Sequence, residues 1–202
     1  MNYMSREDLF AYLDWCALRP ITELEFEKSC RGPLVPVEDA YAWGDASLAQ
    51  GYYTVAAYIQ GDETISSGYS TTAGNAVCTV TLDLNGGSGP LRTGIFAGHP
   101  LNTSRRSSGA SYYGAMELSG NASEVSIAVS NADSRAYDGS HGDGSLDPGG
   151  LYTDPAWPES SLARGGSLGS SSTVPLTVSH RPLALSGGRG YMTGGRGVRT
   201  AP

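Results

Sequence analysis

Lysine is all but missing from this 202-residue chain: Lys28 stands alone against twelve arginines. Arginine carries a planar fork of five donors that ties carbonyls and carboxylates bidentately. A chain that places nearly all its cations there is expected to use several as buried struts. Positive charge is also short overall, with a net charge of −7, which argues against a dedicated nucleic-acid binder. No apolar run approaches the roughly 18 residues that a bilayer requires, so no membrane span is expected. Cysteine is scarce and unpatterned. Cys16, Cys30 and Cys78 are odd in number and lack CxxC spacing, and they read as buried free thiols of a protein folded in reducing surroundings, with a single disulfide left open. The three histidines, His99, His141 and His180, form no HxH or HxxxH pair. GxxxxGK[ST], GxGxxG after a strand and GxSxG are all absent, so phosphate cradling and triad hydrolysis have no local support. The opening MNYMSREDLFAYLDW has neither a basic leader nor an apolar stretch, and no Sec signal is expected.

What is present begins with two capping boxes. Ser5-Arg6-Glu7-Asp8 places Ser5 as N-cap with Asp8 reaching back. Leu9, Phe10, Leu13 and Cys16 follow at helical spacing, with Arg19-Pro20 as the stop. Thr22-Glu23-Leu24-Glu25 opens a second short helix with Leu24 and Phe26 as its apolar face, ending near Gly32-Pro33. Residues 52–59, 76–82 and 126–129 read as strands. Tyr41-Ala42-Trp43-Gly44 reads as a core anchor. The 28 glycines and many serines point to long ordered loops. Asp138-Gly139-Ser140-His141-Gly142-Asp143-Gly144-Ser145-Leu146-Asp147 is dense in carboxylates but fails the calcium-loop template, so a solvated turn is expected. No carboxylate follows Glu159. An acidic chain thus ends in a basic, Gly/Ser-rich segment, residues 163–202, with arginines at 164, 181, 189, 196 and 199.

In order along the chain stand PITELEFEKSCRGP, YAWG, YYGAMELSGNASE, HGDGSLD, ARGGSLG, LTVSHR and GGRGVRT. Together this series resembles the formylglycine-generating-enzyme, or sulfatase-modifying, family. The resemblance implies an α+β, C-type-lectin-like fold: one domain over residues 1–202, with a small twisted antiparallel sheet, two helices and extensive ordered loops. The chain departs from the family where the chemistry sits. The sulfatase-modifying members carry a redox-active cysteine pair in their C-terminal third, and here no cysteine follows Cys78. Because the thiolate is the reacting species, formylglycine generation is not expected. Asn121-Ala122-Ser123-Glu124 replaces the tryptophan-bearing motif near which some relatives hold calcium. Asn121 and Glu124 are the candidate calcium ligands that remain.

A subset of this family, similar in its C-terminal segment, comprises the variable proteins of diversity-generating retroelements, many of them phage or viral receptor-binding proteins. The similarity implies a non-enzymatic module that binds a protein or glycan on a target cell surface, as a phage or virus receptor-binding component or a displayed bacterial variable protein, with a homo-oligomer compatible with either setting. The framework would be Arg164 to Ser167, Val178, Ser179, Arg181, Arg189 and Gly195 to Arg199. The ligand-binding, variable positions would be Leu168, Ser170, His180, Pro182, Leu183, Leu185, Gly187, Gly190, Tyr191 and Thr193. A surface that accepts arbitrary side chains cannot use them for folding, so buried arginines and the frame would hold its backbone. The competing reading places Leu183, Leu185 and Tyr191 in the core. Two alternatives stand beside this module. One is a metal- or oxygen-dependent enzyme of the same superfamily, built on His141, Asp143 and Asp147. The other takes the near-repeat GGRG around Arg189 and Arg196 as a single-stranded nucleic-acid contact, which the acidic charge disfavours.

Overall fold

The computed structural model describes residues 2–57, 61–81, 89–130, 132–137, 141–153, 157–182 and 188–199. Strand β1 (Asn2–Met4) leads into helix α1 (Arg6–Trp15), then β2 (Arg19–Pro20) and helix α2 (Glu23–Arg31). The hairpin β3 (Thr54–Ala56) and β4 (Thr64–Ser67) follows, then β5 (Ser123–Ile127), the one-turn helix α3 (Ala132–Arg135) and β6 (Ser161–Arg164). A 3-10 turn at Val174–Leu176 precedes β7 (Gly190–Gly194) and β8 (Gly197–Val198). The architecture is α+β, as expected.

Both long helices start as their capping boxes dictate. Ser5 Oγ accepts from the Asp8 amide at 3.1 Å, and Asp8 Oδ2 accepts from the Ser5 amide at 2.8 Å. Thr22 and Glu25 repeat the exchange at 3.2 and 2.9 Å. Each reciprocal pair satisfies amides that a helix start leaves orphaned. The end of α1 differs from expectation, because the helix stops at Trp15, five residues before Pro20. Ala17 turns left-handed at φ 54, its amide donates to Asp14 O and the Leu18 amide donates to Leu13 O, both at 2.8 Å. That paired 5→2 and 6→1 closure is a Schellman motif, with alanine where glycine is usual.

On α2 the expected apolar face is half wrong. Leu24 is 59% exposed, whereas Phe26 and Cys30 are buried one turn apart. Phe26 and Cys30 pack with Ile21, Ala42, Leu118 and Val178. The strand expected over residues 76–82 is not one across its described part. Ala76, Val77 and Cys78 are all fully buried, and Thr81 Oγ1 closes a turn on Ala76 O at 2.7 Å. Thr79 and Val80, which follow, are exposed, so burial runs in blocks here instead of alternating. The expected strand over 52–59 shrinks to β3, residues 58–60 lying outside the described part, and the one over 126–129 becomes β5.

The main sheet runs β1-β7-β5-β6. Its outer pairs are antiparallel, but β5 and β7 run parallel, with Ser123 opposite Thr193 and Glu124 opposite Gly194. The sheet is therefore mixed rather than antiparallel. The short ribbon β2–β8 pairs Arg19 with Val198 and Pro20 with Gly197. The beginning of the chain thus holds its end twice, through β1–β7 and β2–β8. Gly195 lies between the two ties, and a Cβ there would come within 2.3 Å of Leu9 on α1.

Four tail arginines reach carboxylates, and one of them, Arg164, is the buried strut expected. Arg164 is fully buried. Its Nη1 donates to Glu23 Oε2 at 2.9 Å, and its Nη2 donates to Glu27 Oε1 at 3.2 Å and to Val178 O at 2.5 Å. Its guanidinium lies 4.9 Å over the Phe26 ring. Arg181 binds the same two carboxylates, at 2.9 and 2.5 Å. Arg196 binds Glu124, and Arg189 forks onto Asp8 at 2.6 and 2.7 Å.

Burial separates these struts energetically. Losing one partner of a buried ion pair strands the other charge and costs about 3–5 kcal/mol, while solvent screens exposed pairs. Arg164→Ala is expected to lower the unfolding free energy by about that amount in urea titrations. Arg189→Ala should leave the urea midpoint nearly unchanged. Equal effects from the two would contradict the assigned roles.

Candidate functional site

Beside the tail lies a cleft of about 570 Å³. One wall is residues 90–93 and the other is residues 194–196. Glu117, Asn121, Ala122 and Glu124 lie between them, with Asn2, Gly61 and Glu63 also lining the space. The turn that supplies Glu117 and Asn121 is strained. Glu117 (φ 61), Gly120 (φ 86) and Asn121 (φ 67) all lie in the left-handed region within five residues. For a non-glycine residue that conformation costs about 1–3 kcal/mol and persists only where its surroundings impose it.

Those surroundings are visible. The Gly120 amide donates to Gly165 O and the Asn121 amide to Val77 O, each at 2.7 Å, and Asn121 O accepts from the Leu168 amide at 2.8 Å. The Asn121 side chain then reads the backbone of Leu91 on both sides. Its Oδ1 accepts from the Leu91 amide at 2.8 Å and its Nδ2 donates to Leu91 O at 2.9 Å. One asparagine therefore fixes the cleft wall at Leu91 to the turn that carries Glu117.

Glu117 is 92% buried, and its Oε1 accepts from the Gly94 amide at 3.2 Å. Burial pushes its carboxyl up to about 7. The Gly94 bond and the Arg196 charge pull the other way, and the nearby Glu124 charge adds to the rise. Perturbed carboxyls in clefts cluster at functional sites. Beside it, Arg196 Nε donates to Glu124 Oε1 at 2.9 Å and Arg196 Nη2 to Met116 O at 2.8 Å. Glu63 Oε2 is buried without a hydrogen-bond partner.

Asn121 and Glu124, the candidate calcium ligands, do meet at this cleft, but they do not fit the ion. Asn121 Oδ1 is taken by the Leu91 amide and Glu124 Oε1 by Arg196, so a guanidinium stands where a cation would have to bind. Among the described residues no three His, Cys, Asp or Glu side chains form a metal-holding group. The His141, Asp143 and Asp147 set is spent on structure. His141 is buried against Tyr137 and edge-on to Trp157. Asp143 Oδ1 accepts from the Ser145 amide, and Asp147 Oδ1 from the amides of Gly149 and Leu151. Side-chain-to-amide closures of this kind build turns.

The expected variable positions do not form one exposed face. Leu168 is a correction: it is 2% exposed and packs with Tyr53, Val77, Leu91 and Phe96. Ser170 Oγ accepts from the Ser167 amide and closes a turn. Gly190 and Thr193 sit within β7, opposite Met4 and Ser123. Tyr191 packs partly against the Leu168 cluster, its ring 6.2 Å from that of the exposed Tyr3. His180 and Pro182 are half-exposed. Leu183, Leu185 and Gly187 lie outside the described residues. The two arginines of the GGRG near-repeat are engaged by carboxylates within the fold.

Sequence reasoning missed Glu117, Glu63 and Arg92 as cleft residues. The available signal was Glu117 itself, a lone carboxylate between Met116 and Leu118 in a stretch closed by Gly120 and Asn121. Only the left-handed turns reveal where it points.

The raised carboxyl has a pH consequence. Between the ordinary value of 4.5 and about 7, Glu117 keeps its proton in the fold and loses it in the unfolded chain. Its contribution is complete below 4.5 and is lost as pH rises through 7. Glu117→Gln should therefore gain about 2–3 kcal/mol relative to wild type between pH 5 and pH 8 in urea unfolding. A pH-independent difference would place the carboxyl in an ordinary environment.

Compared with known proteins, the chain matches no family model and no curated protein.

Proposed function

We propose that this chain is a non-enzymatic ligand-binding domain, a receptor-binding variable protein of the retroelement-diversified kind on a C-type-lectin-like scaffold. It holds a protein or glycan of a target cell surface where the C-terminal segment borders the cleft. The observation that carries the reading is how that segment is held. Arg164, Arg181, Arg189 and Arg196 tie it to Glu23, Glu27, Asp8 and Glu124, so its backbone position depends on a few frame side chains. His180 and Pro182 are half-exposed and lie outside these ion pairs; substitution there leaves the ties intact. Leu168 belongs to the frame rather than to the binding surface.

Cys30 is poorly suited to thiol chemistry. Cys16, Cys30 and Cys78 are free, and burial pushes the Cys30 thiol up to about 12, far from the thiolate that such chemistry requires. A virion location fits a binder of this kind, and several copies on one particle would let avidity offset weak single sites.

Two measurements test the proposal. The first is a glycan and peptide array probed with wild type and Thr93→Trp. Thr93 is an exposed residue of the cleft wall. The bulky variant should abolish selective capture while shifting Tm by less than about 2 °C. Capture that survives the plug would remove the cleft from the binding site. The second is population sequencing of the gene. Substitutions should gather between residues 179 and 193 and spare Arg164, Leu168, Arg181, Arg189 and Arg196. Even variation along the chain would end the diversification reading.

A further inference from the structure

The cleft holds carboxylates that the fold does not neutralise. Among the described residues, Glu117 and Glu63 form no ion pair, whereas Glu124 is taken by Arg196. Glu117 is nine-tenths buried, and its Oε1 accepts from the Gly94 amide. Glu63 Oε2 has no hydrogen-bond partner. Leaving a buried acceptor unmatched costs free energy, and a buried charge costs more. A fold that keeps the unmatched Glu63 oxygen on the same cavity as the buried Glu117, which the strained turn positions, is arranged for a complementary ligand group. We propose that the cleft seats a cation, an ammonium or guanidinium group of the bound protein or glycan, between Glu117 and Glu63. This rests on the ligand-binding reading above and names the chemistry of the group that enters.

The opposite choice, an anion, is less well served. The Arg196 guanidinium is spent on Glu124 and Met116 O. Arg92 is exposed on the wall and donates from Nε to Glu63 O. An anion reaching the floor would meet Glu117 and Glu124, whereas an ammonium or guanidinium brings the donors that the unmatched Glu63 Oε2 lacks. The groups facing Glu117 are Glu124, Arg196, Glu63 and Arg92 around the cleft, with the Gly94 amide on its own oxygen. Because Glu117 ionises only as pH rises through about 7, cation affinity should rise with it.

The test is amide chemical-shift titration of the full chain with three probes of matched length: Nα-acetyl-lysine methylamide, its norleucine counterpart and Nα-acetyl-glutamate methylamide. The lysine probe should move the amides of Gly94 and Gly195. It should bind about tenfold more tightly near pH 8 than near pH 5.5, following Glu117 ionisation. Glu117→Gln should weaken it about tenfold and remove the pH dependence, and Glu63→Gln, which leaves the strained turn untouched, should weaken it without removing that dependence. Equal binding of the norleucine probe, preference for the glutamate probe, or no shift at about 20 mM lysine probe would overturn the cation assignment. The array separates the two ideas. Capture blocked by Thr93→Trp with no lysine binding leaves the binding reading standing and removes the cation. Lysine binding without cleft-dependent capture does the reverse.

Discussion

Two carboxylates in the first turns of α2 hold the C-terminal half of this protein in place. Glu23 and Glu27 sit one helical turn apart, and both Arg164 and Arg181 bridge them. Glu23 Oε1 also accepts the Val129 amide at 2.8 Å. One side chain thus connects α2 with the end of β5, with β6 and with the segment after the 3-10 turn. A buried guanidinium is tolerated only where nearly all its donors are matched. Arg164 meets most of that demand through two carboxylates and the Val178 carbonyl at its terminal nitrogens, its Nε staying without a hydrogen-bond partner, and its face rests on Phe26. Its geometry then dictates where Ala163, Gly165 and Val178 can lie. Gly165 O in turn accepts the Gly120 amide, so the cleft inherits its shape from this cluster.

The cleft is a consequence of backbone conformations that the local residues would not choose. Glu117 and Asn121 are both left-handed without being glycine. The strain is offset by hydrogen bonds from three distant segments, at Val77, Leu91 and Leu168. The same arrangement keeps Glu117 out of water and so raises its carboxyl. Strain, burial and the shifted carboxyl therefore share one origin, the packing of the 117–121 turn between the loop at Leu91 and the tail.

The tail divides into frame and surface by contact rather than by position. Leu168 and Gly195 are frame because they fill space: the first in the cluster around Tyr53 and Phe96, the second against Leu9. Gly190 and Thr193 are frame in their backbone, which pairs within the sheet, and not necessarily in their side chains. A residue in a strand can keep its ladder bonds while its side chain changes. Substitution in this segment is thus compatible with the fold at some positions and excluded at others a few residues away.

The local elements were legible in the sequence because their causes are local. The capping boxes at Ser5 and Thr22 exchange bonds over three residues, and nothing elsewhere competes with them. The arginine struts were foreseeable in kind, from a chain that has almost no lysine, but not in partner. The Schellman end of α1, the exposure of Leu24, the burial of Leu168 and the parallel pairing of β5 with β7 were not legible. Each depends on which distant segment arrives alongside, as do the calcium-unfit pairing of Glu124 with Arg196 and the raised carboxyl of Glu117. By itself the sequence determined where helices begin, that loops dominate and that arginine would do the bracing. Only the tertiary structure decided which side chains lie buried and which carboxylates stay unpaired, because burial and charge pairing are properties of neighbours brought together from far along the chain.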